Sequence, residues 1–178
     1  MEAVFLSRQE DMGDINPEAL QLKLDIERVF ADVPYPGDDN LIHSRYQEAI
    51  DVAEHFKGIK WQDWKDNPSQ FLTMRLSGDL FWFNKEAYRY YLPLYMIQAL
   101  VDIKNADLLP GEIITSLAPP ANKPDLKKHV SRKIASMTPS QLKVILSYLE
   151  FFKREHEKGF STWPIDEAIA NIKRAISS

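Results

Sequence analysis

Leu80 to Leu100 reads Leu-Phe-Trp-Phe-Asn-Lys-Glu-Ala-Tyr-Arg-Tyr-Tyr-Leu-Pro-Leu-Tyr-Met-Ile-Gln-Ala-Leu, and no other stretch restricts the fold as much. It is the most apolar and most aromatic part of the chain, so a fold that leaves it in water forfeits the largest block of burial energy. Asn84 is placed as an N-cap, its side-chain oxygen ready to accept from the free N–H groups of a first turn. Glu86 then falls where the helix dipole favours a negative charge. From Ala87 to Ile103 the residues are apolar almost all round, the mark of a buried helix. Arg89, Pro93, Gln98 and Asp102 interrupt the run, which is too short and too polar for a membrane span.

Inside that helix Pro93 has no N–H to give the carbonyl of Arg89, and its ring crowds the same carbonyl. At about 100° per residue, the polar positions before it (Lys85, Arg89) and after it (Gln98, Asp102) point to roughly opposite sides. The sequence therefore predicts two helical segments meeting at a kink at Leu92–Pro93, threaded through the middle of one all-α domain.

The rings of Phe81, Trp82, Phe83, Tyr88, Tyr90, Tyr91 and Tyr95 fit two readings. In the first they are core, with tyrosine hydroxyls near the surface or bonded to backbone. In the second they wall a pocket at the Pro93 kink. Arg89 is then an anion anchor, Tyr88, Tyr91 and Tyr95 are donors, and Trp82 is part of the wall. The core reading is preferred, because aromatic stripes at helical spacing are usually packing.

With 178 residues the chain is read as a single domain, large enough for a sizeable core without disulfides or metals. It has no cysteine, which excludes disulfides, thiolate metal sites and cysteine nucleophiles and agrees with a reducing compartment. The N-terminal residues lack the basic region and apolar length of a signal peptide, so a cytoplasmic location is expected. The net charge of −4 gives no general attraction to nucleic acid. It is unevenly spread, however. Pro119 to Phe160 holds nine Lys/Arg and four Asp/Glu, a net +5 that leaves −9 for the remainder.

Residues 1–15 are polar, with a short helix expected near Glu2–Ser7 and a mobile end. Asn16-Pro17-Glu18 is a helix start, cap then proline. It competes with a strand-like alternation of Leu20, Leu22, Leu24 and Ile26, and helix is preferred because the cap is clear and β-branched residues are few. A helix is predicted from Ile42 to Lys57 with Tyr46, Ile50, Ala53 and Phe56 buried and Gly58 as its stop. Trp61 and Trp64 suggest one short turn with both indoles on one side, and Pro68 begins a short helix ending near Ser77-Gly78. Pro110 to Leu117 is read as one turn, and 118–124 as a stiff, proline-rich linker. A basic helix follows at Asp125–Ser136. Thr138-Pro139-Ser140-Gln141 is a capping box opening a helix that buries Leu142, Ile145, Leu149 and Phe152 and closes near Gly159. A last helix, Pro164 to Ile176, turns Ile165, Ala168, Ile169, Ile172 and Ile176 inward.

Motifs for chemistry are sparse. There is no nucleophile elbow, phosphate loop or dinucleotide fingerprint, and no cofactor is predicted. Glu48, Asp51 and His55 share one helix face and would need a second helix to complete a metal site; an i,i+4 pairing of Asp51 with His55 is the preferred reading. His156, between Glu155 and Glu157, reads as solvated surface. Lys127, Lys128, Arg132 and Lys133 form the densest basic cluster, with His129 among them. Phosphate contact is one use for it. Aromatic interleaving is missing, so a solvated face complementing the acidic body is preferred.

Four segments, in order, carry a resemblance: Ile26 to Pro36, Phe56 to Trp61, Ala87 to Met96 with its Tyr90-Tyr91-Leu92-Pro93-Leu94-Tyr95 core, and Thr138 to Gln141. Together they resemble an uncharacterised family of small cytosolic bacterial proteins. This chain departs from the family pattern at Asn84-Lys85, which stands in place of Thr-Pro. The resemblance implies an all-α fold and brings no activity with it. Three functions are carried forward. The first is a non-catalytic protein-interaction or regulatory module, including an immunity-type factor that masks a protein partner. The second is a small-molecule or anion binder, or an enzyme, with its pocket at the kink. The third is a nucleic-acid accessory protein using 127–133.

Overall fold

The computed structural model describes residues 16–72, 78–102, 108–156 and 163–178, apart from the side chain of His156. The expectations for residues 1–15, Leu76–Ser77, Ile103, the His156 side chain and a stop at Gly159 fall outside them. The described residues form nine α-helices: α1 (Pro17–Phe30), α2 (Gln47–Phe56), α3 (Pro68–Leu72), α4 (Asp79–Trp82), α5 (Lys85–Val101), α6 (Leu109–Leu117), α7 (Pro124–Ala135), α8 (Pro139–His156) and α9 (Ile165–Ile176). A single 3₁₀ turn, Trp61–Asp63, lies between α2 and α3.

Helix α5 is the axis of the fold. Asn84 caps it, its side-chain oxygen accepting from Ala87 N at 2.8 Å. Thirteen of its seventeen residues are buried, Tyr88 through Leu100 with the exception of Arg89 among them. Pro93 lies inside one uninterrupted helix rather than between two segments. A proline there costs about 3 kcal/mol, whereas each large side chain fully buried returns roughly 1.5–3 kcal/mol. Burial on all sides therefore outweighs the lost hydrogen bond. Helices α1, α3, α6 and α7 and the 3₁₀ turn all pack on α5, while α9 lies across α6 and α8. One contiguous apolar core runs through the chain from Ala19 to Ile172.

The strand-like alternation in α1 resolves as helix. Ala19, Leu22, Ile26 and Phe30 are buried, and Leu20 and Leu24 are the exposed residues of the pair of patterns. The reading of Ile42–Lys57 needs correction. Its helix begins at Gln47, and its buried residues are Ala49, Val52 and Phe56. Tyr46 is 70% exposed and Ile50 40% exposed. Residues 41–43 instead pair with the chain at Phe83: Ile42 and Phe83 form an isolated antiparallel bridge, supported by Asn84 N to Leu41 O at 3.0 Å and His43 N to Trp82 O at 3.2 Å. That pairing fixes the backbone in an extended form that a helix start cannot share. The segment read as one turn at 110–117 is longer, the nine residues of α6, because Ile113, Ile114 and Leu117 all reach the core. In the 118–124 stretch Ala118 and Pro119 are buried and Lys123 N closes a turn onto Pro120 O at 3.1 Å.

Candidate functional site

The five residues grouped as a pocket at Pro93 go three ways. Tyr88, Tyr91 and Tyr95 are in the core, and each hydroxyl has a protein partner. Tyr88 meets Ser116 Oγ at 2.7 Å. Tyr91 contacts the carbonyls of Phe56 and Ile59 at 3.0 and 2.8 Å. Tyr95 faces Asp79 Oδ2 at 3.3 Å. Burial pushes the Tyr88 and Tyr91 hydroxyls far above the usual tyrosine range, so they remain protonated donors. Arg89 leaves α5 on another side, into a cleft against α1 and α8. Trp82 stands at the surface.

That surface is built on α4, a single helical turn held at both ends. At its start Glu112 accepts from Gly78 N at 2.8 Å and Leu80 N at 3.3 Å. At its finish Lys133 Nζ donates to Leu80 O at 2.7 Å and Phe81 O at 3.2 Å and lies 4.7 Å from the centroid of the Tyr88 ring. One residue on, the carbonyl of Trp82 meets His43 Nδ1 at 2.9 Å. Carbonyls at the end of a helix carry partial negative charge, and here basic groups collect on them.

This placement corrects the basic patch. Lys127, Lys128 and Arg132 are exposed, but Lys133 is buried, 2% exposed. Burial lowers its ammonium to a pKa of about 7. The signal was present in the sequence: Leu126, Val130, Lys133 and Met137 recur at helical spacing, so Lys133 sits on the buried stripe of α7. Beside it the imidazoles of His43 and His129 lie with centroids 3.9 Å apart. His129 is held to a pKa of about 4 by burial, then by Lys133 and His43. His43 is lowered by burial first and by Lys133 to a lesser degree, against the opposing Trp82 carbonyl. Both rings are therefore neutral near pH 7. The pairing of residues so distant in sequence had no local signal.

Outward from this cluster the rings of Phe81, Trp82 and Tyr46 are grouped, Phe81 to Trp82 at 4.7 Å and Tyr46 to Trp82 at 6.1 Å. Phe81 is 41% exposed. A groove of about 520 Å³ runs alongside, walled by His43 and Phe81 on one side and by Lys123, Asp125, Leu126 and His129 from α7 and the residue before it on the other. Folding thus brings the ring of Phe81 to His129 of the basic helix, with centroids 6.4 Å apart. Among the described residues Lys123, Lys127, Lys128 and Arg132 make no ion pair, whereas the acidic partners go to cations elsewhere, such as Arg28 with Asp25 at 2.8 Å and Lys153 with Asp166 at 2.7 Å. Among the described residues, direct ion pairs do not join this face to the acidic body.

Glu48, Asp51 and His55 lie on α2. Asp51 accepts from Gln47 Nε2 at 2.8 Å, and the His55 ring stacks on Phe71 with centroids 4.5 Å apart. Among the described residues no group of three His, Cys, Asp or Glu is arranged to hold a metal ion. No helix among them is long and apolar enough to cross a membrane.

Residues 19–171 match the model of a family described as a family of unknown function (DUF6714). No curated protein and no solved structure matches the chain.

Proposed function

The chain belongs to this family of unknown function (DUF6714), and from that premise we propose that it is a non-catalytic binding module whose α7 face receives an acidic segment of a protein partner. One observation carries the reading. Four exposed cations of one face, Lys123, Lys127, Lys128 and Arg132, have no carboxylate partner among the described residues, and Lys123 lines a groove together with His43, His129 and the exposed ring of Phe81. Unpaired surface cations raise encounter rates with an acidic partner and select against basic ones. Exposed aromatic side chains are the residues that most often supply binding energy once water is excluded. A soluble chain that leaves Phe81 and Tyr46 in water gains nothing from them in isolation.

The test is affinity capture from the native cell with the wild-type chain and with two variants, Lys127→Glu/Lys128→Glu/Arg132→Glu and Phe81→Ser, followed by titration of the recovered protein. The reading expects an acidic protein bound by the wild type, its affinity reduced about tenfold or more by either variant. Recovery of nucleic acid with steeply salt-dependent binding would assign the face to that ligand instead. Identical recovery by all three proteins would remove the α7 face from any role.

A further inference from the structure

We propose that the cleft between α1, α5 and α8 binds an organic carboxylate, with Arg89 as its anchor. The cleft is an open depression of about 710 Å³, within the size range of small-molecule sites, and lies apart from the α7 groove, with which it shares no lining residue. Arg89 is half-buried in it and is the one residue between Tyr88 and Leu100 on α5 that escapes full burial. Its Nε donates to Gln141 Oε1 at 2.9 Å. Gln141 is itself buried and fixed at its other contact, where the same oxygen accepts from Thr138 N at 3.0 Å. The guanidinium is therefore oriented before any ligand arrives. No other hydrogen bond and no ion pair engages it among the described residues. Its two terminal nitrogens remain as a fork, the geometry that meets a carboxylate with two parallel hydrogen bonds.

The rest of the cleft narrows the ligand class. Leu22, Val33 and Val144 line it and are almost fully buried, giving an apolar floor for the ligand's body. Lys143 adds an exposed cation. Of the two carboxylates that line the same cleft, Asp25 is neutralised by Arg28 at 2.8 Å, and Asp32 is exposed. Arg89 and Lys143 against Asp32 leave one unit of positive charge, which matches a monoanion. A dianionic phosphate would be undercompensated in charge. A neutral apolar molecule would leave the Arg89 fork facing hydrocarbon.

Hexanoate, hexanol and inorganic phosphate separate these ligands. Each is titrated into the full chain while the Arg89 Nε–H and the Ser140 and Gln141 backbone amides are followed by nuclear magnetic resonance. Saturable shifts with hexanoate, at least tenfold tighter than with hexanol and absent with phosphate, are expected. Arg89→Lys keeps the charge and removes the fork, and should weaken hexanoate about tenfold. Lys143→Glu, an exposed change that leaves the core untouched, should weaken it about threefold even if Arg89→Lys fails to fold. Equal binding of hexanol, binding of phosphate alone, unchanged affinity in the variants, or no saturable shift with hexanoate would each overturn the assignment.

Discussion

Glu112 and Lys133 grip the same residue from opposite ends. Glu112 accepts the Leu80 N–H at 3.3 Å, and Lys133 donates to the Leu80 carbonyl at 2.7 Å. Burial pushes both groups toward neutrality, the Glu112 carboxyl upward and the Lys133 ammonium downward. The short turn α4 is held in place by these two side chains, and α4 in turn presents Phe81 and Trp82.

Lys133 sets a dependence of stability on alkaline pH. Its folded pKa of about 7 lies below the ordinary 10.5, so between these values the unfolded chain binds more protons than the folded one. Stability should therefore climb as pH rises through this window, by up to about 1.4 kcal/mol per pH unit. Lys133→Met should flatten the climb. Urea unfolding midpoints measured from neutral to alkaline pH provide the check, and parallel profiles for the two proteins would refute it.

The imidazole pair acts on the acid side. His129, held to about 4 against an ordinary 6.5, takes up its proton in the unfolded chain first. Stability is then complete above the ordinary value and declines as pH falls from there toward 4. After allowance for solvent around a half-buried ring the decline is about 1–2 kcal/mol. His129→Gln should remove most of it, and thermal unfolding across the acid range would reveal whether it does.

Tyr91→Phe deletes one oxygen that serves two carbonyls, those of Phe56 and Ile59. Both acceptors sit where α2 ends and the chain turns toward Trp61. Losing that buried donor should cost about 1–3 kcal/mol, and faster amide exchange at Ile59 should accompany the loss. Tyr90→Phe, whose hydroxyl donates to the half-buried Gln62 side chain at 2.9 Å rather than to two backbone carbonyls, should cost less than Tyr91→Phe in the same denaturation assay.

Gly111→Ala probes a close approach that no turn geometry demands. A Cβ at this position would lie 2.4 Å from Cε2 and 2.6 Å from Nε1 of Trp163. An indole is rigid, so the overlap should cost about 1–3 kcal/mol. Trp163→Ala should absorb most of that penalty in a double-mutant cycle; additive losses would show that the ring is not what excludes the side chain.

What could be read from the sequence was governed by range. Asn16, Asn84 and the Thr138–Gln141 box act within three residues, and each helix start they mark is where the chain places it. The buried stripe of α9, centred on Ala168 and Ile172, was legible for the same reason. Errors arose where a distant segment decides. Ile42 looked helical because its neighbours do, but Phe83 holds it extended. Lys133 was grouped with exposed lysines because charge outweighs position in a composition count, although its spacing put it on the inner face. Arg89 reads in the sequence as an anion anchor at the Pro93 kink, yet the walls around it come from α1 and α8, and no periodicity within α5 could have supplied them.

Gln141 uses one oxygen for two tasks, the first turn of α8 and the orientation of Arg89. Neither geometry can drift without disturbing the other, so inheritance should treat positions 89 and 141 as a unit. Among descendants of this architecture, arginine at the first position should travel with glutamine or glutamate at the second, and lineages that lose one should be found to have replaced both.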